Sequence, residues 1–347
     1  MVYQILSAII DKPLNEEEAE PHQQVIDQLI KVGYVEKKGA LLEATSSADN
    51  RLNDYSIRGM AETVDIILNG KTIGSRALPM AMRELHQGAI YLNAGNIYKV
   101  DSYRQNIQNG SIKVATISQF EELSDYRTEC DRTTYPDIVN LLSEKMIGQI
   151  KLLYCRLEIT ENVTGYRLIN NLTEKTEKQE ILEEPLTYTF QTLGFVFIAP
   201  TPDLSVFSLP DNDQLQEYLA GSFHAAEHII IESAGMITGS GEGEIGGISM
   251  ANGIIFVYDG ARGGSGVSNL LYSRFEQGVE RAVSILKNCD CKREDGCPKC
   301  TYSYQCGNNN SPLSKAGAIS VLSKIIDKKA EKTDISIWDY EGQEPLV

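Results

Sequence analysis

The chain has 347 residues, enough for two or more domains, and its 42% hydrophobic and 23% charged content is that of an ordinary globular protein. A net charge of −16 excludes a chain-wide coat for nucleic-acid phosphates. No apolar run approaches the roughly 20 residues of a membrane-spanning helix, and the N-terminus lacks a secretory leader's basic region and apolar core, so a cytoplasmic, thiol-reducing setting is expected.

Residues 1–50 read as a small helical unit with a wing, which fits a winged-helix remnant and equally a plain helical cap. Val25, Ile26, Leu29 and Ile30 recur at helical spacing, and Gly33 stands where a helix would be C-capped. Tyr34-Val35 and Leu41-Leu42 flank the polar turn Lys37-Lys38-Gly39, which predicts a short hairpin. The polar run Thr45 to Asn50 has no apolar period and reads as a linker.

Short strands are predicted from Ser56 to Ile117. Val64, Ile66 and Leu68 alternate up to the hairpin signal Asn69-Gly70, and a second turn at Asn93 to Asn96 joins Ile90 and Leu92 to Ile97-Tyr98. Ala77 to His86 reads as a short helix. Further strands are predicted at Leu153 to Ile159 and Thr187 to Ile198, with the charged stretch Asn171 to Glu184 as a solvent-facing loop. Helical patterns follow at Gln214 to Ser233, Gly266 to Leu286 and Ser314 to Lys329. Among them Gly253 to Asp259 is a continuous apolar run, as in a buried strand. The segment after Thr333 is acidic.

Five of the seven cysteines fall between Cys289 and Cys306. A C-x-x-C pair, Cys297 and Cys300, with further thiols on each side is a pattern that presents tetrahedral thiolates to zinc. A redox C-x-x-C would follow a strand of a βαβ unit and needs no extra cysteines. A structural zinc site is therefore expected, with Cys291, Cys297, Cys300 and Cys306 as ligands and Cys289 as the alternate. Gly296 and Gly307 stand where a tight chelating loop calls for a positive φ. From Met250 to Lys332 there are 12 Lys and Arg against 8 Asp and Glu, so this zinc-bearing region is the one candidate DNA-facing surface.

Three other motifs carry chemistry. Gly70-Lys71-Thr72 resembles the end of a P-loop, but the required earlier glycine is replaced by Asp65, so a hairpin turn is expected. His224, Glu227 and His228 match H-x-x-E-H, in which two imidazoles one helical turn apart bind zinc and the glutamate acts as base. That reading, a zinc metallopeptidase, needs an acidic third ligand, for which Glu276 or Glu280 is the candidate. Its alternative is a structural role for both histidines. The turn from Asp259 through Arg262, Gly263 and Gly264 follows a strand and opens a helix, where backbone amides can hold a phosphate; a plain tight turn is the alternative.

The order of these residues resembles a known family. His224-Ala-Ala-Glu-His228, Gly246-Gly247-Ile-Ser249, Tyr258-Asp-Gly260, Gly263-Gly264-Ser-Gly266, and the run from Gly296-Cys-Pro-Lys-Cys300 through Cys306 to Lys315 are similar to the C-terminal zinc-binding domain of MrfA/YprA-like helicases. These are superfamily 2 DEAD/DEAH-box DNA repair helicases. Ser56 to Gly59, Glu84 to Leu92 and Glu161 to Tyr166 resemble the family's β-rich middle region, so the likeness spans nearly the whole chain. Two departures stand out: Glu244 replaces a frequent Asp ahead of the glycine pair, and the loop from Cys291 to Cys297 is longer than in the family.

The resemblance implies an α+β multi-domain chain. The expected parts are a winged-helix remnant (1–50), an SH3-like β module (51–118), a β-rich segment (119–203), an α/β zinc-binding domain (204–332) and an acidic tail (333–347). It further implies an accessory region that guides DNA, expected to be single-stranded, and braces RecA-like motor domains in cis or in trans. Without a Walker A or DEAD/DEAH motif, no ATPase activity is expected of the chain alone. A protein-interaction adaptor is the remaining alternative.

Overall fold

The computed structural model describes residues 2–48, 62–105, 112–120, 124–148, 150–205, 212–241, 243–304, 306–308 and 310–327. The segment Ser56 to Gly59, the later part of the expected linker and the acidic tail lie outside them. The chain divides into two compact units, residues 1–60 and 61–347.

In the first unit, helices Val2–Asp11, Glu16–Ala19 and Gln23–Lys31 accompany three short strands, β1 (Leu14–Asn15), β2 (Val35–Lys38) and β3 (Leu41–Ala44), in the order β1-β3-β2. Val25, Ile26 and Leu29 are buried with Ile5, Leu6 and Ile9, whereas Ile30, at the edge of the stripe, is exposed. The helix ends at Gly33, which adopts a φ of 82°. The β2–β3 hairpin turns at Gly39, as its sequence predicts.

The second unit opens with a five-stranded sheet of β4 (Thr63–Leu68), β5 (Lys71–Ala77), β6 (Ile90–Asn93), β7 (Asn96–Gln105) and β8 (Ile112–Gln119), in the order β5-β4-β8-β7-β6. Asn69-Gly70 and Ala94-Gly95 both adopt positive φ, the geometry of tight hairpin turns. Gly70-Lys71 is thus a hairpin and not a phosphate loop. β4 and β8 run parallel, a pairing that hairpin signals do not foretell. The short helix spans only Met80–Glu84, because β5 runs through Ala77 and Pro79 stands at the N-cap.

Three long strands follow, β9 (Tyr126–Ile147), β10 (Ile150–Asn170) and β11 (Thr176–Ile198). The predicted loop at Asn171 to Glu184 is mostly strand. β11 begins at Thr176, and its charged first half is held by pairing with β10 although it buries little. With no buried face there, the alternation that would have announced it is missing.

β12 (Ile245–Ser249) and β13 (Ile254–Asp259) complete this sheet, in the order β12-β13-β11-β10-β9. β13 pairs antiparallel with β11, from Gly194 opposite Tyr258 to Ile198 opposite Ile254. The expected boundary between 203 and 204 therefore separates segments of one sheet. All six residues of β13 are buried, as its unbroken apolar run predicts, because both faces are covered. Phe195, Phe197, Ile255 and Val257 point toward helices Asn212–Thr238, Val267–Ser273, Phe275–Asn288 and Lys315–Ile326. Val196, Ile254 and Phe256 point the other way, into a core shared with the sheet β5-β4-β8-β7-β6.

That second core encloses polar groups. Glu161 of β10 is buried, with Arg83 bonded through both carboxylate oxygens (Nε to Oε1 at 2.6 Å) and Arg132 of β9 at 3.3 Å. Burial opposes the Glu161 charge, but the two guanidiniums outweigh it and hold its carboxyl below the usual range. His86 is fully buried and stacks on Tyr166; burial pushes its pKa down to about 4, and its Nε2 has no hydrogen-bond partner.

A histidine whose folded pKa lies below the unfolded value of about 6.5 stabilises the fold above that value and loses this contribution as pH falls toward the folded pKa. The wild-type chain is therefore expected to lose more thermal stability between about pH 6.5 and pH 4 than His86→Phe, which keeps the stacked ring without the titrating nitrogen. Tm profiles against pH check this, and equal acid slopes for the two proteins refute it.

Candidate metal centre

The helix Phe275–Asn288 stops immediately before Cys289, and no helix or strand forms among the described residues from there to Ser314. A segment this irregular buries little apolar surface of its own and needs another source of order. Four sulfurs supply the candidate. The Sγ atoms of Cys289, Cys291, Cys297 and Cys300 all lie within 4.8 Å of one another. The pairs Cys289–Cys297, Cys291–Cys300 and Cys297–Cys300 are 3.6, 3.7 and 3.8 Å apart.

A tetrahedron with zinc–sulfur bonds of about 2.3 Å has edges of about 3.8 Å. A disulfide would bring two sulfurs to about 2.05 Å, and all of these cysteines are free. The four residues present therefore fit a zinc ion. The amides of Cys297 and Lys299 point at Cys300 Sγ (3.3 Å) and Cys297 Sγ (3.4 Å), a turn in which backbone donors offset thiolate charge. Gly296 adopts a φ of 89°, and a Cβ on it would strike Thr301 Oγ1, whereas Gly307 is not among the residues with positive φ. Lys315 Nζ donates to the carbonyls of Cys289 (2.9 Å) and Cys291 (3.2 Å) and lies 3.4 Å from Cys291 Sγ.

The sequence reading favours Cys306 over Cys289 as the fourth ligand, and the geometry reverses the two. Cys306 sits with His224 and His228 instead, their donor atoms again within 4.8 Å of one another. The histidines lie one turn apart on the helix Asn212–Thr238. His224 Nδ1 faces Pro312 O at 2.9 Å and His228 Nδ1 faces Thr301 O at 2.7 Å. Burial pushes their pKa values down to about 4 and about 3, with His224 adding to the effect at His228. Neither Glu276 nor Glu280, the expected acidic third ligand, joins this group.

Glu227 points from the same helix toward β12, where Ser249 Oγ donates to it at 3.4 Å. Burial pushes its pKa up to about 8. Gly247 of β12 makes room for it: a Cβ there would lie 2.4 Å from Glu227 Oε1.

In the turn after β13 the amides of Gly263 and Gly264 are bonded within the protein. Gly263 donates to Gln191 O and Gly264 to Ala261 O, while the Asp259 carboxylate accepts from the amides of Gly266 (2.8 Å) and Ser268 (2.6 Å). Asp259 itself occupies the helix N-terminus. Arg262 is paired with Glu62 at 3.2 Å on the surface.

Cys289→Ser and Cys297→Ser are each expected to release the metal of the four-cysteine centre and lower the Tm of the second unit, while Cys306→Ser keeps that metal. Metal analysis with calorimetry reads this; unchanged metal and melting in Cys289→Ser contradicts the assignment. Gly247→Ala is expected to cost about 1–3 kcal/mol, the usual penalty of overpacking, and denaturant unfolding that shows no loss rules the close approach out.

A family model for the MrfA Zn-binding domain matches residues 226–301, a span that takes in the four clustered cysteines and stops before Cys306. An uncharacterized protein of Methanocaldococcus jannaschii is 39% identical over 112 residues, covering 30% of this chain and 98% of that protein. The ATP-dependent helicase hrq1 of Schizosaccharomyces pombe is 22% identical over 70% of this chain, which spans only 23% of the helicase's length. Among solved structures, the DUF1998 helicase MrfA bound to DNA superposes with a TM-score of 0.54 at 20% identity, over 95% of this chain and 42% of that one, and so shares its fold. With the four-cysteine cluster inside the matched domain, the chain belongs to the family of MrfA-like helicase C-terminal regions.

Proposed function

We propose that this chain is the accessory C-terminal region of an ATP-dependent DNA repair helicase, guiding DNA and bracing motor domains that it does not itself contain. One combination of observations carries the reading: a likeness to an ATP-dependent helicase over 70% of the chain, together with a four-cysteine, zinc-type centre inside a span that matches the MrfA Zn-binding domain. The first unit fits the role of a winged-helix remnant, the sheet of residues 63–119 that of an SH3-like module, and RecA-like motors would act in cis or in trans. Zinc on Cys289, Cys291, Cys297 and Cys300 would close a structural site and leave no position for chemistry. The centre would then set the shape of the attachment, and catalysis would belong to the motor.

DNA contact is assigned to the cysteine loop. Its region has a cationic excess in an otherwise acidic chain, and Lys292 and Lys299 stand exposed on it. Binding of single-stranded DNA is expected to weaken linearly in log K with log salt. The double variant Lys292→Gln/Lys299→Gln should reduce that slope by about 1.4, or about 0.7 for each lost phosphate contact on a single strand. Fluorescence anisotropy across a salt series measures it, and an unchanged slope removes the loop from the interface. ATP hydrolysis by the chain alone is expected to be absent.

A further inference from the structure

The group formed by His224, His228 and Cys306 has no part in the function proposed above, yet it is organised as a ligand set. Main-chain carbonyls only accept hydrogen bonds, so Pro312 O and Thr301 O fix the proton of each imidazole on Nδ1 and leave both Nε2 lone pairs for another partner. Outer hydrogen bonds of this kind orient metal-bound histidines. Cys306 Sγ lies 3.4 Å from His224 Nε2. Bonds of about 2.3 Å to sulfur and about 2.0 Å to nitrogen place such atoms about 3.5 Å apart around one tetrahedral ion. The amides of Asn308 and Asn310 point at the same sulfur at 3.3 and 3.2 Å.

We propose that His224, His228 and Cys306 form a second metal centre, which takes a zinc-class divalent ion with its fourth position open. Two imidazoles and one thiolate are a borderline donor set that suits zinc or cobalt. The three residues line one wall of a cavity of about 390 Å³, whose other walls include Glu227, Arg83 and Arg132. Three protein ligands beside a cavity leave the fourth place to water or another exchangeable oxygen donor, which a closed four-thiolate site does not. Arg83 and Arg132 on the cavity wall favour an anionic ligand there. The two centres share no ligand, but Thr301, which orients His228, directly follows Cys300, so the first loop helps to aim the second site.

Metal analysis of the full chain, reconstituted with zinc and freed of excess, is expected to give two ions per chain. Cys306→Ser and His228→Asn should each reduce this to one while the four-cysteine metal remains. One ion per wild-type chain, or two retained in both variants, overturns the proposal in favour of a plain Cys306–His224 hydrogen bond. Cobalt substitution of the wild-type chain decides the matter even where a variant fails to fold. The expected spectrum combines tetrathiolate bands, indifferent to azide, with a second set that azide shifts because it can enter an open position. A tetrathiolate spectrum alone, insensitive to azide, is the contrary result.

Discussion

Four cysteine sulfurs lie within 4.8 Å of one another, and as thiolates they would repel and open the loop unless a cation such as zinc held them together. The region from Cys289 to Ser314 depends on this constraint. It links the end of one core helix to the start of another, and among its described residues no ladder of helix or sheet hydrogen bonds holds it. Lys315 ties it to the last helix by reaching back to the carbonyls of Cys289 and Cys291, beside the sulfur cluster whose charge it offsets. Thr301 ties it to the long helix through His228. A metal-type knot thus docks three helices onto one face of the long sheet.

The other face of that sheet has a different organisation. Where it packs on the sheet β5-β4-β8-β7-β6, the apolar core encloses Glu161 with its two arginines, and Glu227 feels the charge of Arg132 without an ion pair to it. Buried charges cost heavily unless paired, and the near-complete pairing of Glu161 shows how this cost is met. Glu227 has no such partner, and its raised pKa reflects the alternative solution, protonation. Ionisable groups held in the interior at this density line the cavity that the two histidines share.

Much of this was legible in the residues. The apolar run from Ile254 to Asp259 announced a strand covered on both faces, and Asn69-Gly70 announced a hairpin. The cysteine spacing announced a metal centre in the last third of the chain. Other features left no local trace. The charged half of β11 is strand only because β10 lies beside it, and the parallel pairing of β4 with β8 joins residues some 50 apart.

The sequence by itself determined the chemistry: which residue types are present, that C-x-x-C would offer thiolates, and that His224 and His228 would share a helical face. These depend on spacing along the chain, which is local. Only the tertiary structure decided the partition of the ligands. It drew Cys289 into the thiolate cluster and carried Cys306 to the histidines, because the turn at Thr301 redirects the chain between Cys300 and Cys306 toward the long helix. Residue spacing sets how far a sulfur can reach, but the direction of a turn is set by what it packs against.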